Sequence, residues 1–105
     1  MKYLLIEDDP NKVKKISEFI SQKDPESRIT TSDHLVNARR KILTQEFDLI
    51  IFDIFLPLTT GGYEQDVSAD IIGDFSTSKN YHAEAIAITK YSDQALAHSP
   101  LFNDH

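Results

Sequence analysis

The stretch "FDLIIFDIFLP", residues 47–57, decides the fold. Leu49, Ile50, Ile51 and Phe52 make an unbroken apolar run, short and rich in β-branched and aromatic side chains, which is how a strand buried on both faces reads. Asp53 interrupts the run before Ile54, Phe55 and Leu56 turn apolar again. A carboxylate in that setting is costly unless it is paired, bound to a metal or placed at a strand end that opens to water. The plain reading is a strand-end aspartate capping the loop that follows. The sharper reading is a working carboxylate, because aspartate is seldom buried without a task.

On the N-terminal side, residues 2–7 read as a short strand that ends in acids. "DPNKVKKISEFISQ", residues 9–22, follows with Val13, Ile16, Phe19 and Ile20 at helical spacing. Asp9 before Pro10 is a standard helix start, an N-cap acceptor followed by proline at the first helical position. Arg28–Thr31 reads as a second strand, and Ser32 or Asp33 is expected to cap a helix carrying Leu35, Ala38, Ile42 and Leu43. On the C-terminal side, Pro57, Gly61 and Gly62 mark a loop. A weaker helix then holds Val67, Ile71 and Ile72, with Gly73 loosening its end. The polar "STSKNYHAE" leads into "AIAIT", residues 85–89, as a fourth strand, and "YSDQALAHS" starts a last short helix capped by Ser92 or Asp93 and stopped near Pro100.

Strands alternating with helices imply an α/β fold, a doubly wound parallel sheet whose ligand site lies at the carboxyl ends of the strands. Glu7 and Asp8 end the first strand, Asp53 the third and Thr89 the fourth. If the first and third strands are neighbours, three carboxylates meet in one pocket. Such a cluster repels itself unless a hard cation binds it, and an all-oxygen set suits Mg²⁺ with several retained waters.

Composition narrows the remaining classes. With 105 residues, 40% of them hydrophobic and 27% charged, the chain suits one small domain with a single core. A net charge of −6, with basic residues gathered only at Lys12, Lys14 and Lys15 and at Arg39, Arg40 and Lys41, argues against direct nucleic-acid binding. There is no cysteine, hence no disulfide, thiolate nucleophile or Cys-based zinc site. His34, His82, His98 and His105 lack metal-ligand spacing and are expected to be solvent-exposed. "MKYLLIEDD" carries too short an apolar run for a signal peptide or membrane anchor, so no membrane association and a cytoplasmic location are expected.

These residues resemble the receiver domain of two-component response regulators. The matching parts are "YLLIEDDP" (3–10), "FDLIIFDIFLP" with Gly61 eight residues after Asp53, and "AIAIT" ending in Thr89; "TTSDHLVNARRKILTQEFDLIIFD" (30–53) has the family's cadence, with Ala38 at its small position. The resemblance implies a flavodoxin-like sheet of strand order 2-1-3-4. It implies that Asp53 is the phosphoryl acceptor, taking its group from a histidine kinase or phosphotransfer protein. Asp8 would bind Mg²⁺ directly, Glu7 largely through water, and the backbone carbonyl of Phe55 would complete the protein's share of the shell. Thr89 would offer its hydroxyl to the phosphoryl group.

Two features depart from the family pattern. Receivers have a fifth strand bearing a lysine that pairs with the phosphoryl group, then a fifth helix, and the sequence stops at His105 before either. A sheet left open there is expected to be completed by a homodimer or a C-terminal segment. Lys90 stands where a small residue is preferred; it is a solvated strand-end lysine, a hindrance to phosphorylation or a partial substitute for the missing cation. The expected function is a phosphorylatable signalling switch rather than an enzyme. The alternatives are a pseudo-receiver that signals by partner binding alone, and a phosphatase of the haloacid dehalogenase type. The last class uses a second Asp two residues after the nucleophile, where this chain has Phe55.

Overall fold

A computed structural model describes residues 1–78, 80 and 82–88 of the chain. The expected positions Thr89, Lys90, His98 and His105, and the short helix expected after Ser92, lie outside the described residues. The elements run β1 (Lys2–Ile6), α1 (Pro10–Lys23), β2 (Arg28–Ser32), α2 (Leu35–Thr44), β3 (Leu49–Asp53), β4 (Phe55–Pro57), β5 (Glu64–Asp66), α3 (Ser68–Thr77) and β6 (Glu84–Ile88). The main sheet has the order β2-β1-β3-β6 and is parallel throughout. This is the doubly wound order expected for the four strands.

Period-two alternation along the strands divides the core. Tyr3, Leu5, Leu49, Ile51 and Ile88 face α1, where Ile16 and Ile20 meet them. Leu4, Ile6, Ile50 and Phe52 face the opposite side and pack with Leu35, Ala38 and Ile42 of α2 and with Val67 and Ile71 around the start of α3. Every residue of β3 is buried, as its unbroken apolar run requires. Ala38 has no exposed surface, and its small side chain lets α2 come close to the sheet.

The helix ends show where local signals held and where they yielded. Asp9 caps α1: its Oδ1 accepts from the Asn11 N–H at 2.9 Å, with Pro10 at the first helical position. The cap expected of Ser32 or Asp33 on α2 is not formed; His34 occupies the N-cap position without a side-chain capping bond. Ser32 is instead the last residue of β2, paired with Ile6, and its hydroxyl donates to the His34 carbonyl at 3.2 Å. Asp33 Oδ1 is taken by His34 Nδ1 at 2.6 Å and Thr60 Oγ1 at 3.3 Å. His34 is thereby partly buried rather than exposed, while His82 is exposed as expected.

The segment after β3, expected to be a loop, contains an antiparallel hairpin, with Phe55↔Asp66 and Pro57↔Glu64 in register. Gly61 sits in its connection at φ +81°, a conformation that favours glycine. Gly73, expected near the end of the third helix, lies inside α3, which continues to Thr77. Buried Asn80 straps the far side of the fold together: its Oδ1 accepts from Phe47 N at 2.7 Å, and its Nδ2 donates to the Ile42 and Gln45 carbonyls at 2.8 and 2.9 Å. Among the described residues, no helix is long and apolar enough to cross a membrane.

Candidate functional site

Parallel pairing of β1 with β3 sets Ile6 opposite Phe52, so the residues that leave the two strands, Glu7 and Asp53, emerge side by side. The Glu7 N–H still donates to the Ser32 carbonyl at 2.9 Å, which holds the backbone in line with the sheet as the chain turns toward α1. Glu7, Asp8 and Asp53 each bring a carboxylate oxygen into a group spanning at most 4.8 Å. The three acids expected to converge do so. Asp9, the fourth acid of that end of the strand, turns away to cap α1.

Two of the three are withdrawn from water: Glu7 is 2% exposed and Asp53 6%. Asp53 is held by the chain that follows it, since its Oδ1 accepts from the Phe55 N–H at 2.9 Å. That bond is the plain loop-capping role, and it also fixes the carboxyl plane. Its other oxygen, Oδ2, stands 3.9 Å from the Lys12 ammonium on the first turn of α1. Glu7 Oε1 accepts from the Asp9 N–H at 3.1 Å, whereas Glu7 Oε2 is buried without a partner.

Burial is the main reason that the Glu7 carboxyl is pushed up to about 8; the negative charge of Asp53 adds to it, while the Asp9 N–H and the Lys12 charge oppose it. An orphaned, buried carboxylate oxygen within a group of oxygen donors fits a hard divalent cation, which would satisfy that oxygen and cancel the mutual repulsion at once. The residues present therefore suit Mg²⁺, with Glu7, Asp8 and Asp53 as the donors.

The sequence reading missed two members of this neighbourhood. Lys12 shows in the sequence only as one of the lysines gathered on a turn. Glu64 lies beyond the Pro57, Gly61 and Gly62 loop signals; the β4–β5 hairpin brings it against Asp8, and hydrogen bonding with Asp8 followed by the Asp8 charge holds its carboxyl above the usual range. Phe55 begins β4 beside the site, with its side chain half exposed. Ile88, the last described residue of β6, is paired with Asp53, and its carbonyl accepts from the Ile54 N–H at 3.2 Å.

No protein-family model matches the sequence, and no curated protein matches it. Among solved structures, the chain is similar to an aspartate-to-alanine mutant of the MaeR response regulator bound to sulfate, with TM-score 0.64, 18% identity, and 99% of this chain and 79% of that one covered. It is equally similar to the MaeR response regulator bound to beryllium trifluoride, with TM-score 0.64, 17% identity, and coverage of 100% and 80%. At that identity the likeness is one of fold, and it agrees with the parallel β2-β1-β3-β6 sheet and its acid-lined carboxyl end: the chain has the receiver fold of the response regulators.

Proposed function

We propose that the protein is a phosphoacceptor signalling domain in which Asp53 takes a phosphoryl group from a phosphohistidine on a histidine kinase or phosphotransfer protein. The observation that carries this reading is the Asp53 carboxyl itself: buried at a strand end, oriented by the Phe55 N–H and clustered with Glu7 and Asp8. Phosphoryl transfer needs in-line positioning and charge neutralisation more than it needs covalent machinery. An Asp53 oxygen bonds to phosphorus as the nitrogen–phosphorus bond breaks. The imidazole leaves neutral, its other ring nitrogen carrying a proton.

Mg²⁺ held by Glu7, Asp8, Asp53 and the Phe55 carbonyl would supply positive charge to the phosphoryl oxygens. The Phe55 N–H keeps the Asp53 carboxyl from rotating. Thr89, which follows the Asp53-paired end of β6, would offer its hydroxyl to the arriving group. The added charge and its acceptor oxygens then act on the hairpin and α3, which makes the domain a switch rather than an enzyme with turnover.

Beryllium trifluoride with Mg²⁺ provides a direct test without a kinase, read by amide chemical shifts of the labelled protein. The expected result is saturable shifts at residues 7–9 and 53–56 that vanish in Asp53→Asn. Identical shifts in the variant would place the anion elsewhere and refute the assignment.

A further inference from the structure

Resting on the phosphoacceptor reading, we infer that Lys12 is a side-chain cation that receives phosphoryl charge at Asp53, so that the first turn of α1 takes part directly in the reaction. Among the described residues, Lys12 is the basic side chain within ion-pair distance of Asp53, at 3.9 Å from Oδ2. That separation is too long for a hydrogen bond, so the ammonium faces the carboxylate without being spent on it. Phosphoryl oxygens carried on the Asp53 carboxyl come within its reach, and the flexible four-carbon stem can close the remaining gap.

The placement is built rather than incidental. Asp9 caps α1 and Pro10 fixes its first turn, which carries the Lys12 ammonium to Asp53 at the carboxyl end of β3. The Lys12 side chain is 25% exposed and the Asp53 side chain 9%, so the pair sits at the mouth of the site, where solvent screens it only partly. The positive charge of Lys12 also opposes the upward shifts at Glu7 and Glu64, so its field spans the whole acidic group.

This role separates two quantities that a merely structural lysine would move together. When a carboxylate oxygen of Asp53 attacks acetyl phosphate, the bond from phosphorus to the acetate oxygen breaks and acetate leaves with the electron pair. Negative charge on the phosphoryl oxygens stays beside Asp53, and Lys12 stabilises it. Before the reaction, the same ammonium competes with a divalent cation for Asp53. Lys12→Gln therefore slows phosphorylation while tightening Mg²⁺ binding.

The experiment measures phosphorylation rate by intact mass with acetyl phosphate at saturating Mg²⁺, and Mg²⁺ affinity by calorimetry without a phosphoryl donor. It compares wild type, Lys12→Gln and Lys12→Arg, with far-UV circular dichroism checking the fold. The expected result is a rate about 100-fold lower in Lys12→Gln, the low end of the range for removing one electrostatic contact to developing charge. Mg²⁺ affinity should rise a few-fold, and the rate in Lys12→Arg should stay near wild type. An unchanged rate in Lys12→Gln, or a rate and a Mg²⁺ affinity that fall together, overturns the role of Lys12. A wild-type protein that gains no phosphoryl group overturns the phosphoacceptor reading and this inference with it.

Discussion

Replacing Glu7 with glutamine should remove a loss of stability that the metal-free protein suffers as pH rises. Glu7 is 2% exposed, its Oε2 lacks a partner, and its carboxyl is raised from 4.5 to about 8, chiefly by burial. A group that binds its proton more tightly when folded contributes stability that is complete below the unfolded pKa and is lost as pH rises through the folded one. For Glu7 the loss runs from about pH 4.5 to about pH 8. The full shift corresponds to at most about 5 kcal/mol. Effective dielectric screening at buried sites reduces that, and about 2 kcal/mol is the expected loss. Glutamine keeps the acceptor for the Asp9 N–H and carries no charge, so Glu7→Gln should be about 2 kcal/mol more stable than wild type at pH 9 and close to it at pH 4.5. Urea denaturation followed by far-UV circular dichroism at both pH values, in the presence of a chelator, measures this. A difference that does not change with pH, or a wild type that gains on the variant as pH rises, would refute the reasoning. Adding Mg²⁺ at pH 8 should favour wild type, because a cation bound only by the folded state stabilises it and the variant lacks one donor.

Asn80→Ala should cost about 3 kcal/mol in the same denaturation assay at neutral pH, because it strands the buried Phe47 N–H and the Ile42 and Gln45 carbonyls in one step. A loss below about 1 kcal/mol would mean that water replaces the carboxamide freely. Asp9→Ala should cost about 1 kcal/mol through loss of the α1 cap while leaving Mg²⁺ affinity within about two-fold, which calorimetry checks. A large loss of affinity would instead place Asp9 among the metal ligands.

What could be read from the sequence follows from how local each signal was. β3 announced itself because a strand buried on both faces needs an unbroken apolar run, and Asp53 stood out against that run. Asp9 and Pro10 are adjacent, and so the α1 start was legible. The α2 start was misread because Ser32 is a good capping residue by type but is drawn into the sheet by pairing with Ile6, a choice made by a strand 26 residues away. The hairpin left almost no trace: β4 and β5 are three residues each, β5 is wholly polar, and Pro57 with Gly61 and Gly62 reads as an irregular loop. Glu64 was hidden with it. Lys12 is one of three lysines gathered on a turn, and only the packing of α1 against the sheet brings it to Asp53. Asn80 serves partners 33 to 38 residues away in sequence, a distance over which residue patterns carry no signal.

The central claim is that Asp53 accepts a phosphoryl group, and the most direct measurement is intact mass, with peptide mapping, after incubation with acetyl phosphate and Mg²⁺. The account predicts a gain of one phosphoryl group on the peptide containing Asp53, lost on chelation of Mg²⁺ and absent in Asp53→Asn. No gain in a folded wild-type protein that binds Mg²⁺, or a gain that survives in Asp53→Asn, would contradict it.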